Sequence, residues 1–162
     1  MPEIEDVAGC GARLVQHRFD VAPQRIGRRE QRGGIEIALH RLAGAEGLAR
    51  AADATERVFG RVHVLCNNAG VNIFGPMDEA TYEDWEWVMG VNFWGVVNGI
   101  QTFLPRIRKH GEEGHIINVA SMASFITGPQ AGLYTASKYA VRGLTECLRD
   151  SLAATQIGVS LM

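Results

Sequence analysis

Apolar and polar residues alternate in a regular order of helix-like and strand-like segments from residue 46 to residue 162. Residues 45–59 carry apolar side chains every three or four positions and are followed by Gly60, which predicts an amphipathic helix with a glycine stop. Residues 62–66 form a short, almost unbroken apolar run, typical of a strand that is covered on both faces. This part of the chain therefore predicts a layered domain.

A long amphipathic helix is predicted over residues 81–110. The start, Thr81-Tyr-Glu-Asp84, resembles a capping box, in which the first and fourth residues satisfy each other's backbone N–H groups. Asn92 is the one polar residue in the predicted buried stripe. The stripe consists of Trp85, Val88, Met89, Asn92, Phe93, Val96, Ile100, Phe103 and Leu104. A buried amide needs hydrogen-bond partners, so we expect Asn92 either to hold a strand backbone or to fix a water.

The remaining pattern completes an α/β arrangement. Residues 115–120 are a second buried-type strand, residues 134–154 a further helix, and residues 157–162 the start of a third strand. Strand, helix, strand, helix, strand is typical of a parallel sheet with right-handed crossovers. The predicted fold class is therefore α/β, with a parallel sheet and flanking helices.

The first part of the chain lacks this regularity. We predict an irregular or divergent segment over residues 1–45 and a partial α/β domain over residues 46–162.

Composition excludes several classes of protein. The 162 residues are 46% hydrophobic and 21% charged, and 16 basic against 18 acidic residues give a net charge of −2. This balance disfavours nucleic acid and acidic membranes as partners. A locally basic run, residues 24–32, has no interleaved aromatic residues, so we interpret it as solvated surface or disorder, with RNA or phosphate binding as the alternative.

Cysteine usage and hydropathy point to a reducing compartment. The three cysteines form no Cys-x-x-Cys pair and have no histidine or acidic residue at metal-ligand spacing, so neither a disulfide scaffold nor a metal site is expected. The acidic N-terminus does not resemble a secretory signal, and no window approaches the length of a membrane span. A cytoplasmic location is the expectation.

Three residues carry candidate acid–base chemistry. Tyr134 and Lys138 are four residues apart on a predicted helix and so share a face. A nearby ammonium favours the phenolate and lowers the pKa of a tyrosine toward a useful range. Ser121 directly follows a predicted strand, at the sheet edge where ligands of parallel α/β folds bind. The structural alternatives are an amphipathic surface pair and a helix-capping serine.

Together these motifs resemble the short-chain dehydrogenase/reductase family. The matching residues are Asn67, Asn68, Ala69 and Gly70, then Asn92, Ser121, Tyr134 and Lys138. The resemblance implies a Rossmann-like fold and hydride transfer between NAD or NADP and a carbonyl or secondary alcohol.

The resemblance also implies a role for each matching residue. Tyr134 would be the general acid/base, Lys138 would lower its pKa and hold the nicotinamide ribose, and Ser121 would orient the substrate oxygen. Asn92 would fix a water that links Lys138 to solvent. The segment 67–70 would lie beside the adenosine end of the cofactor.

The chain departs from the family pattern at both ends. The Thr-Gly-x-x-x-Gly-x-Gly turn has no match, because Gly9-Cys10-Gly11 lacks the later glycine, and the Pro-Gly segment that follows the last strand is missing. In the family the strand that corresponds to residues 62–66 is flanked by the first strand of the sheet. The resemblance therefore implies that residues 10–45 supply a substitute strand, with residues 12–21 as the candidate, or that an aggregation-prone edge remains.

We expect an incomplete domain and leave two functions open. One is an active oxidoreductase, for which Met122, Phe125, Ile126 and Pro129 suggest a small apolar substrate. The other is a catalytically silent remnant that acts as a dimerisation partner. The resemblance implies that the helices 81–110 and 134–154 pair with their copies in a homo-oligomer.

Overall fold

The computed structural model describes residues 14–16, 24–25 and 44–162 as a parallel sheet with a layer of helices. The strands are β1 (Leu14–Gln16), β2 (Gln24–Arg25), β3 (Val64–Asn67), β4 (Ile73–Phe74), β5 (Gly114–Asn118) and β6 (Ile157–Leu161). The helices are α1 (Ala45–Phe59), α2 (Tyr82–Met89), α3 (Gly95–His110) and α4 (Gly132–Leu152).

The main sheet has four parallel strands in the order β1-β3-β5-β6. In its register Val64 lies opposite His115, and Ile116 lies opposite Val159. Each crossover from β3 to β5 to β6 moves one strand in the same direction, and right-handed crossovers in one direction place their helices on the same face. This arrangement confirms the predicted Rossmann-like parallel sheet with flanking helices.

A strand from the N-terminal segment covers the open edge of β3. Leu14 and Gln16 pair in parallel with Val64 and Cys66, within the candidate range 12–21. Part of the segment predicted to be irregular therefore joins the sheet. Because β3 now has a neighbour on each side, the alternative of an exposed β3 edge does not apply.

The basic run 24–32 is described only at its start. Gln24 and Arg25 pair in parallel with Ile73 and Phe74, so these two residues are backbone-paired instead of irregular. The other residues of this run lie outside the described part of the chain, as does the glycine pair at positions 9 and 11.

The first helix follows local sequence signals closely. Helix α1 spans the predicted residues and ends at Gly60, which has φ 82°, a conformation that residues with a side chain rarely adopt. The capping box at Thr81 is also present, because the Thr81 hydroxyl accepts from the backbone N–H of Asp84 while the Asp84 carboxylate accepts from the N–H of Thr81. Both signals depend only on neighbouring residues.

The prediction of one regular helix over residues 81–110 was wrong in its middle. Helices α2 and α3 are joined without a break by a π-helical segment, Gly90–Trp94, in which the backbone hydrogen bonds skip one extra residue. The buried Asn92 lies in this segment. Its side chain makes hydrogen bonds to other elements, which the periodicity of the helix does not reveal.

Smaller differences affect the ends of other elements. The predicted strands 62–66 and 115–120 lie at 64–67 and 114–118, and the predicted helix 134–154 lies at 132–152. Strand ends are set by pairing between strands, which an apolar run alone does not locate.

The core lies between the sheet and the helices. Helix α1 packs against α3, and α2 packs against α4, so the helices form a continuous layer. Large side chains that are almost fully buried in this layer are Leu65, Phe103, Ile107, Ile116, Val141 and Leu152. This packed layer fixes α4 relative to the carboxyl ends of β3 and β5.

Candidate functional site

The candidate site lies at the carboxyl ends of β3 and β5, beside the first turns of α4. Asn67 is the last residue of β3 and Asn118 the last residue of β5. The chain continues from β5 through Ser121 into α4, which carries Tyr134 and Lys138. In parallel α/β sheets this edge is where ligands bind.

Lys138 is a buried lysine at the centre of this edge. It is 3% exposed, and its Nζ donates a hydrogen bond to the backbone oxygen of Val119 at 2.9 Å. The same Nζ lies 5.5 Å from the centre of the Tyr134 ring. Burial lowers the pKa of Lys138 to about 8, because desolvation disfavours the charged form. The amine is still mainly protonated at neutral pH, so a positive charge is held close to the phenol.

Ser121 begins the turn that follows β5. Its backbone is extended, and its hydroxyl accepts from the N–H of Ala123 at 3.2 Å. Ser124 donates to the backbone oxygen of Ser121 at 2.6 Å. The capping role that the sequence left open is therefore observed, and it fixes the backbone of Ser121.

Arg142 connects this turn to α4. Its Nη1 donates to the backbone oxygen of Ser124 at 3.3 Å, and its guanidinium lies 4.2 Å from the centre of the Phe125 ring. The side chain also forms an ion pair with Glu146, one turn further along the helix, at 2.8 Å. The turn after Ser121 is thus tied to the helix that carries the tyrosine and lysine.

Asn92 acts as a structural bridge. Its carboxamide oxygen accepts from the N–H of Val71 at 2.7 Å, and its amide nitrogen donates to the backbone oxygen of Val71 and to the hydroxyl of Ser137, each at 2.9 Å. Ser137 in turn donates to the backbone oxygen of Tyr134 at 2.7 Å. The π-helical segment therefore holds both the chain after Gly70 and the first turn of α4.

The segment Asn67 to Gly70 lies beside the buried amine. A Cβ atom placed on Gly70 would lie 3.5 Å from Nζ of Lys138 and 3.6 Å from the Asn92 carboxamide oxygen. Asn68 and Ala69 are partly exposed. The structure thus brings Gly70, Asn92 and Lys138 close to one another, and that they share a cofactor site stays a prediction.

A series of hydrogen bonds between polar side chains runs through the core behind the site. Asn67 donates to the Asn118 carboxamide at 2.8 Å, and Asn118 donates to Thr145 at 3.0 Å. Thr145 ends this series by donating to the backbone oxygen of Val141 at 2.6 Å. Sequence reasoning missed Ser137 and Thr145 as positioning residues. The available signal was a polar residue at each of two positions on the apolar face of α4, where a buried group requires a partner.

The residues present fit the nicotinamide half of the implied cofactor. An ammonium has three N–H donors, and the Val119 oxygen takes one of them. Gly70 keeps side-chain bulk away from this amine. Lys138 and Tyr134 would hold the nicotinamide half, and the segment 67–70 would lie beside the adenosine end. In the part of the chain that the structure describes, no helix is long and apolar enough to cross a membrane.

Comparisons with known proteins give a consistent result. A family model described as short chain dehydrogenase matches residues 23–162. The C alpha-dehydrogenase of Sphingobium sp. strain SYK-6 is 47% identical over 133 residues, which are 79% of this chain and 44% of that protein. The match therefore covers less than half the length of that relative.

Two solved structures extend the comparison to proteins with bound cofactors. A short chain dehydrogenase/reductase from Burkholderia phymatum in complex with NAD has a TM-score of 0.72 and 41% identity, over 74% of this chain and 43% of that one. A gluconate 5-dehydrogenase from Burkholderia cenocepacia in complex with NADP and tartrate has a TM-score of 0.69 and 32% identity, over 74% of this chain and 47% of that one.

Proposed function

Because the chain belongs to the short-chain dehydrogenase/reductase family, we propose that it is an NAD(P)-dependent oxidoreductase that interconverts a secondary alcohol and a carbonyl. The observation that carries this proposal is the buried Lys138 amine, 5.5 Å from the centre of the Tyr134 ring and one helical turn away from it. A desolvated cation in this position can stabilise the negative charge that develops on the phenol oxygen during proton transfer.

In the proposed mechanism Tyr134 moves the proton. In the reductive direction its hydroxyl gives a proton to the carbonyl oxygen as the carbonyl carbon gains a hydride. The alcohol O–H is formed, and the phenolate that remains is stabilised by the charge of Lys138. Ser121 donates a hydrogen bond to the same substrate oxygen and orients it. When bound, the nicotinamide supplies or accepts the hydride.

Asn92 and the segment 67–70 have supporting roles in this proposal. Asn92 holds the backbone at Val71 and the start of α4, and we propose that it also positions a water that exchanges protons between Lys138 and solvent. The segment 67–70 would lie beside the adenosine end of the cofactor, which is NAD or NADP.

The proposed substrate is a small apolar ketone or alcohol. Three large apolar side chains after Ser121 are exposed, Met122 at 69%, Phe125 at 54% and Ile126 at 60%. Exposed apolar side chains beside polar groups are typical of a substrate-binding wall.

The free cysteines Cys66 and Cys147 support a reducing, cytoplasmic location.

A second candidate function is that of a silent dimerisation partner. Trp94, at the junction of the π segment and α3, is 55% exposed, and Tyr139 on α4 is 41% exposed. Large exposed aromatic side chains are frequent in protein interfaces. We propose that the helices in 81–110 and 134–154 pair with a second copy of the chain, whether or not the site is active.

Replacing Tyr134 by Phe tests the enzymatic proposal. The change removes only the hydroxyl that transfers the proton, so turnover should fall by roughly 100-fold or more while the affinity for cofactor changes little. Turnover of a ketone panel and nicotinamide fluorescence titration measure the two quantities. The matched control is Tyr139→Phe, on an exposed position of the same helix, which should keep full turnover.

The same titration separates the two candidate functions. Cofactor binding at micromolar concentrations supports the oxidoreductase. An unmodified chain that binds neither NAD(H) nor NADP(H) at millimolar concentrations supports the silent partner, and undiminished turnover in Tyr134→Phe contradicts the proposed proton donor.

A further inference from the structure

Two histidines and a glutamate converge at the end of the sheet opposite to the candidate site. His63 directly precedes β3, His110 is the last residue of α3, and Glu112 lies in the connection to β5. One ligand atom from each lies within 4.8 Å of the other two. We propose that these three residues form a binding site for a divalent transition-metal ion such as Zn²⁺.

One hydrogen bond of His110 prepares it as a ligand, and the other would be replaced by the ion. Its Nδ1 accepts from the backbone N–H of Glu112 at 3.1 Å, so the single lone pair of this nitrogen points at that N–H and can bind an ion only once this hydrogen bond is broken. In the neutral ring the proton is then on Nε2, which lies 2.9 Å from the backbone oxygen of Val62 and donates to it. Ligating histidines commonly donate their second nitrogen to a carbonyl oxygen in this way, which fixes the ring and directs the other nitrogen at the metal.

His63 and Glu112 already face each other through ligand atoms. Nε2 of His63 lies 2.7 Å from a carboxylate oxygen of Glu112. A metal ion would replace the proton between them, and the ring would then carry its proton on Nδ1. Binding would therefore be weaker at low pH, where protons compete for His63. The ring of His63 also lies 4.7 Å from that of His110.

The separations between the three ligand atoms suit a small ion once the Glu112 side chain moves inward. Zn²⁺ binds histidine nitrogen and carboxylate oxygen at about 2.0–2.2 Å, commonly with three protein ligands and a water. Ligands at these distances lie about 3.3 Å apart around a tetrahedral ion, and the ligand atoms here all lie within 4.8 Å of one another. The Glu112 side chain is 47% exposed, so it can move inward and solvent can deliver the ion.

Arg61 opposes the metal. Its guanidinium forms an ion pair with the second carboxylate oxygen of Glu112 and is 56% exposed. A cation at the site would be repelled by this charge. Removing Arg61 should therefore strengthen metal binding, a result that a purely structural ion-pair cluster does not produce.

The site would join elements that are far apart in the sequence. Residue 63 directly precedes β3, residue 110 ends α3, and residue 112 leads into β5. A bound ion would link these elements and stabilise the folded state, since the ligand set is assembled only by folding. The local spacing of histidines and acidic residues does not indicate this site, because His63 is 49 positions from Glu112.

Zinc titration of the full chain tests the proposal. The chain carries Cys10→Ser, Cys66→Ser and Cys147→Ser so that thiols do not contribute, and calorimetry at pH 7.5 reports Zn²⁺ affinity. His63→Ala and His110→Ala should each weaken binding by more than about tenfold, whereas Arg61→Ala should strengthen it. His115→Ala is the matched control, because this histidine is hydrogen-bonded to Ser160 on β6 and should leave affinity unchanged.

Thermal unfolding provides a second readout. Zn²⁺ should raise the unfolding midpoint of the parent chain and of Arg61→Ala, but not that of His63→Ala. Circular dichroism verifies that each variant is folded, and Arg61→Ala keeps the test valid if a histidine variant unfolds, because it retains all three ligands. The proposal is wrong if Zn²⁺ does not bind at micromolar to millimolar concentrations, or if binding is independent of His63, His110 and Arg61.

Discussion

Burial of the Lys138 amine is unfavourable for folding, but it places a positive charge beside Tyr134. Its amine is buried, hydrogen-bonded to the Val119 oxygen and close to the Tyr134 ring. Desolvating an ammonium is unfavourable, and the lowered pKa of about 8 expresses that cost. Packing of α4 against β6 and its neighbours holds the helix in place and offsets the unfavourable free energy of desolvation. The charge that remains at neutral pH is therefore fixed next to the phenol.

The lowered pKa of Lys138 predicts how stability depends on pH. The folded pKa of about 8 lies below the ordinary value of 10.5, so between these values the unfolded chain binds more protons. The free energy of unfolding should then rise with pH through this window, by up to about 1.4 kcal/mol per pH unit. Urea unfolding of the parent and of Lys138→Met, which lacks the titrating amine, measures the difference at pH 7.5, 9 and 10.5.

The control for this experiment is Lys109→Met, which removes an exposed lysine near the end of α3. It should show the same pH dependence as the parent. A difference between the parent and Lys138→Met that stays constant from pH 7.5 to pH 10.5 would contradict the lowered pKa.

At the residue scale, the helical period predicts that Tyr134 and Lys138 share a helix face, but not how that helix is held. Their grouping with Asn92 and Ser121 in one catalytic site stays a prediction that follows from the family resemblance. Ser137 and Thr145 join the site through bonds to Asn92 and Asn118, which come from other elements. These partners depend on the packing of α4, which no local pattern contains.

At the scale of elements, Gly99 on α3 leaves space for the hydrogen-bonded side chains of Asn67, Asn118 and Thr145 behind the site. A Cβ atom at this position would overlap the carboxamide of Asn67, which donates to Asn118 across the sheet. Helix α3 and strand β3 thus approach more closely than a residue with a side chain allows. The absence of a side chain at Gly99 allows this contact to form.

Gly99→Ala should therefore destabilise the protein. Displacing Asn67 from its hydrogen bond should lower the free energy of unfolding by about 1–3 kcal/mol, even though alanine is the better helix former. Gly143→Ala on α4 is the matched control, because nothing lies within 4 Å of its added Cβ, and it should raise stability by up to about 1 kcal/mol. Urea unfolding of both variants measures the effects; equal stabilisation by both would show that Asn67 is not confined.

The elements differ in how far the sequence determines them. Helix α1 has its predicted bounds because periodicity and the glycine at its end are local signals. The π-helical segment Gly90–Trp94 was not predicted, because Asn92 is bonded to Val71 and Ser137 from other parts of the fold. Strands β3 and β5 differ from their predicted bounds by up to two residues, since pairing with neighbouring strands sets their ends.

At the scale of the whole molecule, the order of the sheet follows from the alternation of strands and helices together with the handedness of the crossovers. The position of β1 does not follow in this way. A neighbour for β3 was expected from the family resemblance, because the corresponding strand of the family is flanked by the first strand of the sheet. The three residues of β1, Leu14–Gln16, are too few for a periodic signal. The metal site proposed at the opposite end of the sheet is likewise created only by the assembled fold.

The proposed pairing of two chains makes the last prediction. If the helices in 81–110 and 134–154 form the interface, sedimentation equilibrium should give a dimer. Trp94→Glu or Tyr139→Glu should raise the dissociation constant of this dimer by more than about tenfold, because each would place a charge in an apolar contact. Val58→Glu is the matched control. Val58 is a 66% exposed apolar residue on α1, outside the proposed interface, so its replacement should leave the dimer intact. A monomeric parent chain, or equal weakening by Val58→Glu, would assign the exposed aromatic residues to the ordinary surface of the protein.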